Sequence, residues 1–321
     1  MARVLVTGAT GFIGSHLAER LLEEGHEVFA LIRRRGRWLP KGVRVIYGDL
    51  LREDLPELKG FDHVFHLAAL TRAIKPSDFF RVNTRGTKHL LERIMRDGGV
   101  RGRFIFLSSL SAQGPTKREV PLSEDMPPHP VSPYGLSKLM AEEALAAFRS
   151  QIHIVILRPA IVYGPRDEYM LEFFRLIRRG FLPLLMDEQW LSLCYVQDVV
   201  QALILASQRD IPSGEVFLIS DGHRYPLQGI ADMVASILGV NLRKVRIPLA
   251  FAKTVAFLSE ILGRVLKKPP AFNLNKFREA VQEAWICDIS KARKLLGFEP
   301  KWGLREGIAL TLRWYREQGW L

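Results

Sequence analysis

The chain has 321 residues, 48% hydrophobic and 25% charged; this ordinary globular usage excludes a disordered or low-complexity polypeptide and allows one large core with a second lobe around a site. Lysine and arginine outnumber aspartate and glutamate by 46 to 34, a net charge of +12 that favours phosphorylated ligands or anionic surfaces. That charge comes with no basic tail, zinc-ligand spacing or aromatic-interleaved basic run, so no nucleic-acid or metal site is expected, and Cys194 and Cys287 read as buried apolar residues in a reducing cytoplasm.

Residues 3–7 read as a buried strand that begins directly after Met1-Ala2, so no signal peptide is expected. A glycine-rich turn follows. Residues 13–24 then carry Ile13, Leu17, Leu21 and Leu22 at helical spacing, and Gly25 closes the helix. Residues 27–32, 43–47, 64–67 and 104–107 read as further strands, with a helix at 77–95 between the last two. This alternation predicts an α/β fold, a doubly wound parallel sheet with helices on both faces. The proline-rich polar stretch 114–133 suits a surface loop across the mouth of a site; a helix carrying Tyr134 and a strand at 152–157 come next. Beyond Arg158 the alternation gives way to helical patterns at 170–179, 196–207, 227–238, 250–266 and 304–318, with short strands near 216–219 and 245–247. The expected division is a sheet domain at 1–164, to which about 194–221 returns, and a smaller, mostly helical substrate lobe at 165–193 and 222–321 over the carboxyl ends of the strands. No internal repeat is expected.

The turn Gly8-Ala9-Thr10-Gly11-Phe12-Ile13-Gly14 lies between the first strand and the first helix. Gly8 permits the tight turn, Gly11 lets backbone approach a pyrophosphate, Gly14 lets the helix pack on the strand, and the helix amino terminus offers N–H donors to phosphate. The second strand ends in Arg33-Arg34-Arg35-Gly36-Arg37 rather than in an acidic residue. Guanidinium groups suit a 2'-phosphate, which favours NADP(H), with Arg33 as the main contact, over NAD(H). Asp49 after the third strand reads either as a partner of the adenine amine or as a helix cap. Leu67, Ala68 and Ala69 close the fourth strand with side chains that let a ribose lie close.

Tyr134 and Lys138 stand four positions apart on a helix that opens at Pro133, and so share a face. A phenol with a pKa of about 10 needs roughly 4 kcal/mol of phenolate stabilisation to titrate near neutrality. A lysine and a cationic nicotinamide are expected to supply it together, making Tyr134 an acid and base.

Thr7 to Gly14, Asp49-Leu50, His66 to Ala69, Asn83 with Gly86-Thr87, Ser108-Ser109, Tyr134 to Lys138 and Arg158-Pro159 together resemble the extended short-chain dehydrogenase/reductases, a superfamily with NAD(P)-dependent epimerases and dehydratases. The match spans essentially the whole chain and implies a Rossmann-type fold. It implies that Tyr134 is the general acid and base, that Lys138 lowers its pKa and binds the nicotinamide ribose, and that Ser109 bonds the reacting oxygen, with Ser108 as rival. It implies cofactor contacts from Gly8, Thr10, Gly11, Phe12, Ile13, Leu50, Leu67, Ala68, Ala69, Pro159 and Ala160, and a bracing role for Asn83. Thr71, Ser109, Ser111 and Arg166 are candidate substrate contacts.

Two departures separate this chain from the nucleotide-sugar epimerases of that superfamily. No asparagine follows Arg158, and Gln113 stands where the Ser-Ser-x-x-x-Tyr-Gly pattern carries tyrosine. Both, with the Arg33 cluster, resemble the hydroxysteroid dehydrogenases and dihydroflavonol reductases. The expected reaction is hydride transfer between nicotinamide C4 and a secondary alcohol or ketone of a small lipophilic or aromatic substrate. The alternatives are a nucleotide-sugar epimerase or dehydratase and, more remotely, a non-catalytic dinucleotide-binding protein. The resemblance also implies a homodimer through helices around 83–95 and 134–148. Residues 248–268 put Phe251, Val255, Leu258, Leu262 and Val265 on one helical face, expected to cover the pocket, with a membrane-contacting surface as the less favoured reading.

Overall fold

The computed structural model describes residues 1–52, 54–270 and 272–321. Its framework is a seven-stranded parallel sheet: β1 (Arg3–Thr7), β2 (Glu27–Ile32), β3 (Arg44–Tyr47), β4 (His63–His66), β5 (Arg103–Leu107), β6 (His153–Pro159) and a strand at Glu215–Ile219. The order runs Glu215–Ile219, β6, β5, β4, β1, β2, β3, so the chain reverses direction across the sheet between β1 and β4. Ligands of such sheets bind at that reversal, outside the carboxyl ends of the strands.

The strands are apolar on both faces because helices cover both. Val4 and Val6 of β1 enter one core, and Leu5 between them enters the other. In β6, Val155 and Leu157 face the first core while Ile154 and Ile156 face the second. The period-two alternation of a strand thus feeds two apolar layers. The first layer is closed by helices Phe12–Glu23 and Val196–Gln208, the second by Gly86–Arg96 and Pro133–Ala146.

The helix expected at 77–95 is instead Pro76–Phe79, one π-helical segment at Phe80–Arg85, and Gly86–Arg96. That segment turns Asn83, 1% exposed, toward the site. Residues 196–208 and 215–219 return to the sheet. The rest of the chain past β6 forms small sheets and the helices Glu168–Arg178, Leu227–Leu238, Leu249–Val265, Leu274–Ala280 and Leu304–Glu317. The strand expected at 245–247 lies at Arg243–Arg246, because its four exposed side chains matter less than its parallel pairing with Phe181–Leu184. The 114–133 loop is pinned to this lobe: Thr116 N–H donates to the Ala284 carbonyl (2.8 Å) and Leu122 N–H to that of Ile286 (3.0 Å). Among the described residues no helix is long and apolar enough to cross a membrane, and no cluster of His, Cys, Asp and Glu could hold a metal ion.

Candidate active site

The glycine turn sits where β1 ends beside β4. Gly8 has φ +77°, and a Cβ there would come within 2.8 Å of the Ala68 nitrogen and the Leu67 carbonyl carbon. A Cβ on Gly14 would run into the Gly8 carbonyl, so both glycines are needed for the helix to start this close to the strand. Gly11 caps the Phe12–Glu23 helix without any side-chain hydrogen bond, leaving the first-turn N–H groups, among them those of Phe12 and Ile13, for a ligand. Thr10 packs under Gly36 of the basic loop, whose Cβ position would lie 2.7 Å from the threonine Cβ. This cradle of small residues and N–H donors, with Leu67, Ala68 and Ala69 along one wall, fits a dinucleotide diphosphate.

Arg33 is exposed just after β2 and makes no ion pair among the described residues. Asp49 spends one oxygen on the Leu51 N–H (3.1 Å) in a local turn that no helix follows, so it is not a helix cap, and its other oxygen has no hydrogen-bond partner among the described residues. Leu50 follows in the same turn. Pro159 and Ala160 lie at the carboxyl end of β6, Ala160 N–H donating to the Ile219 carbonyl (2.8 Å). Arg166 lies elsewhere. Its guanidinium donates to Ser15 Oγ (3.0 Å) and Glu19 (2.7 Å) and lies over Trp38, bracing the lobe against the first helix instead of facing Tyr134.

Tyr134 is held by the start of its helix. Ser132 caps it, accepting from the Gly135 N–H (3.1 Å), and Pro133 occupies the first turn. A Cβ at Gly135 would strike the Ser111 carbonyl, so glycine lets the helix press onto the turn that carries Ser109 and Ser111. There Ser109 lies beside the Tyr134 phenol and works to lower its pKa, while its Oγ accepts from the Ser111 N–H (3.1 Å). Ser108 faces away, its hydroxyl donating to Glu142. Of the two serines, only Ser109 is thus placed beside Tyr134.

The expected phenol acidity is absent from the protein alone. Burial pushes the Tyr134 pKa up to about 12, with neighbouring Ser109 and the Lys276 charge pulling the other way. Lys138 gives its ammonium to the Leu107 carbonyl (2.6 Å) and lies 4.1 Å from the centre of the Phe106 ring. It is 1% exposed, and burial brings it down to about 7, opposed by Glu142 one turn on. Glu142 in turn pairs with Arg158 (Oε2 to Nη2 2.5 Å), and Arg158 also donates to Gln113. The residue standing in place of the pattern's tyrosine is thus tied into a buried ion-pair network.

A buried polar chain joins the cradle to the Tyr134 helix. Ala68 N–H donates to Thr7 Oγ1 (3.1 Å), which lies 2.6 Å from His66 Nδ1; His66 Nε2 lies 2.8 Å from Thr87 Oγ1, which donates to the Asn83 carbonyl (2.6 Å). Since Thr87 spends its proton on Asn83, its oxygen accepts from His66 Nε2–H, and Nδ1 accepts from Thr7. Asn83 accepts from Leu70 N–H (2.8 Å) and donates to Ser137 Oγ (3.0 Å), which donates to the Tyr134 carbonyl (2.7 Å). Every member is satisfied only with a neutral imidazole, and burial, aided by Lys138, drives the His66 pKa down to about 3.

On the substrate side, Tyr134 borders a recess of about 10 Å³ shared with Thr71, Arg72, Phe79, Tyr169 and Lys276. Tyr169 and Lys276 also bound an apolar cavity of about 360 Å³ walled by residues such as Ile161, Met170, Phe173, Leu193 and Phe272. Burial works against the Lys276 charge, but Glu279 (2.7 Å) and Tyr169 hold it above the usual amine range. Glu279 also accepts from Ser132 Oγ (2.7 Å). Sequence reasoning missed this group: Leu274–Ala280 is seven residues long, too short for a periodic pattern, and Asn273 at its cap was the available signal.

A model of the NAD dependent epimerase/dehydratase family matches residues 4–220. The ceramide reductase of Caulobacter vibrioides is 31% identical over 326 residues, covering 99% of this chain and 96% of its own. A ketoreductase of Stigmatella aurantiaca, named for 4-hydroxy-2-methyl-3-oxo-4-farnesyl-3,4-dihydroquinoline-1-oxide, is 30% identical over 95% of this chain and 94% of its own. Among solved structures, the UDP-glucose 4-epimerase of Thermotoga maritima with UDP-glucose superposes with a TM-score of 0.81 at 28% identity, covering 98% of this chain and 99% of that one.

Proposed function

Because the chain belongs to the NAD dependent epimerase/dehydratase family, we propose that it is a reductase of that family acting on a ketone in a long-chain or isoprenoid lipophilic substrate. The observation that carries this reading is the apolar cavity that shares Tyr169 and Lys276 with the recess at Tyr134. It is lined almost wholly by apolar side chains, which suits an alkyl chain and offers a sugar diphosphate little to bond. The named substrates of the Caulobacter and Stigmatella relatives, a ceramide and a farnesylated quinoline, are of this lipophilic kind.

A bound nicotinamide supplies the hydride. Ser109 orients the carbonyl oxygen, and Tyr134, protonated throughout the physiological range in the protein alone, donates the proton to it. The Asn83 chain holds the Tyr134 backbone in place, and the charges of Lys138 and of a cationic cofactor ring would stabilise the phenolate that remains once the proton is given up. Arg33 favours NADP(H) over NAD(H) by facing the adenosine 2'-phosphate. Two copies pair through the Gly86–Arg96 and Pro133–Ala146 helices, where Leu136 and Met140 stand exposed.

The epimerase reading keeps one supporting observation, the whole-chain likeness to the Thermotoga enzyme. The two separate in one experiment. NADPH oxidation is followed with long-chain 3-oxo compounds in detergent micelles, and UDP-glucose to UDP-galactose conversion is followed in parallel. Ketone-dependent oxidation without interconversion supports the reductase; interconversion with retained NAD refutes it.

A further inference from the structure

The Leu249–Val265 helix is packed the wrong way round for a helix in water. Its buried residues are Ala252, Ala256 and Gly263, a stripe of small side chains at helical spacing, and its large apolar residues point outward. Phe251 is 61% exposed, Phe257 52%, Leu258 56%, Leu262 56% and Val265 71%. At about 100° per residue these, with Val255 and Ile261, sweep roughly the half-circle opposite the stripe. The one hydroxyl in that arc, on Thr254, returns to the Ala250 carbonyl (3.0 Å) and asks nothing of a solvent. An exposed apolar patch of this extent marks a contact surface.

We propose that this helix is a docking surface for an anionic lipid bilayer, lying in the interfacial plane with its large side chains among the acyl chains. Charge selects the occupant. Residues 243–268 hold seven cations, Arg243, Lys244, Arg246, Lys253, Arg264, Lys267 and Lys268, against one carboxylate, Glu260. Glu260 is neutralised by Arg264 (2.7 Å); Lys244 and Arg246 pair with Asp232 and Asp187, and Arg243, Lys253, Lys267 and Lys268 have no carboxylate partner among the described residues. On the helix the charged side chains Lys253, Glu260 and Arg264 fall on one flank of the arc, where headgroups would meet them. A second copy docked on the same face would bring like charges together; anionic headgroups neutralise them. At 17 residues with this polar flank, the helix lies on a bilayer and does not span it. The surface does not depend on the reaction assigned above, although Phe272, just beyond the helix, is in the wall of the apolar cavity.

The test is flotation of the full-length protein with vesicles of equal parts phosphatidylcholine and phosphatidylglycerol, against vesicles of phosphatidylcholine alone. The protein is expected to float with the anionic vesicles and to be released in part by high salt. Leu258→Glu with Leu262→Glu, at exposed positions where folding is checked by circular dichroism, is expected to weaken binding more than about tenfold, since each leucine loses its transfer to an apolar medium. Replacing Lys253, Lys267 and Lys268 by alanine should weaken binding to the anionic vesicles alone. Failure of the wild-type protein to float, or flotation unchanged by the double glutamate variant, overturns the proposal. So does sedimentation velocity in which that variant dissociates an oligomer while the wild type ignores vesicles, because the occupant is then a second copy.

Discussion

His66 makes the stability of this protein depend on pH in a way that can be worked out from its contacts. In the folded chain its ring is a neutral link between Thr7 and Thr87, with a pKa near 3, while the unfolded chain titrates at the ordinary 6.5. Between those values the unfolded state binds a proton that the folded state refuses, so the histidine's contribution is fully present above pH 6.5 and is lost as pH falls toward 3. The slope is about 1.4 kcal/mol per pH unit, or about 3 kcal/mol by about pH 4.5. Urea unfolding at about pH 7.5 and about pH 4.5 measures it. His66→Gln, which keeps one donor for Thr87 and cannot become cationic, is expected to be less stable at neutral pH and to lose about 3 kcal/mol less on acidification than the wild type. His16, His63 and His153 are also lowered, first by burial, and add acid sensitivity in both proteins, so the difference between them isolates His66. Equal pH slopes in the two proteins would refute the neutral-ring assignment.

Tyr134→Phe should bind cofactor almost as the wild type does and lose turnover by about a hundredfold to ten-thousandfold, measured by NADPH oxidation under saturating substrate; retained turnover would remove Tyr134 from the chemistry. Arg33→Ala should weaken NADPH by about tenfold to a hundredfold with little change for NADH, read by fluorescence titration; equal losses would cancel the 2'-phosphate role. Glu142→Gln leaves the Arg158 guanidinium buried without its countercharge and should cost about 3–5 kcal/mol in chemical denaturation. A change under about 1 kcal/mol would mean that water or Gln113 already satisfies that arginine.

The glycine turn, the seven-strand framework and the Tyr134 helix were legible in the sequence because each rests on local rules. Gly8 must take a positive φ, Gly14 must lack a Cβ, Ser132-Pro133 starts a helix, and apolar runs make strands that helices cover on both faces. The separation of four between Tyr134 and Lys138 likewise follows from helix geometry alone.

What the chain order could not reveal depends on segments far apart in sequence. Ser108 and Ser109 are chemically identical until β6 and the Pro133–Ala146 helix bring Glu142 to one and Tyr134 to the other. Arg166 reads as a candidate substrate contact until Ser15 and Glu19, some 150 residues earlier, claim it. The acidity of Tyr134 and Lys138 is set by burial, a property of the packed lobe over the site and not of either residue. The helix at 249–265 shows the same division. Its pattern predicts an amphipathic helix, but only packing decides which face is covered, and it covers Ala252, Ala256 and Gly263 and leaves the phenylalanines and leucines outside. Local residue identity determines what an element can be; which of its faces meets protein is fixed only when the distant segments have packed.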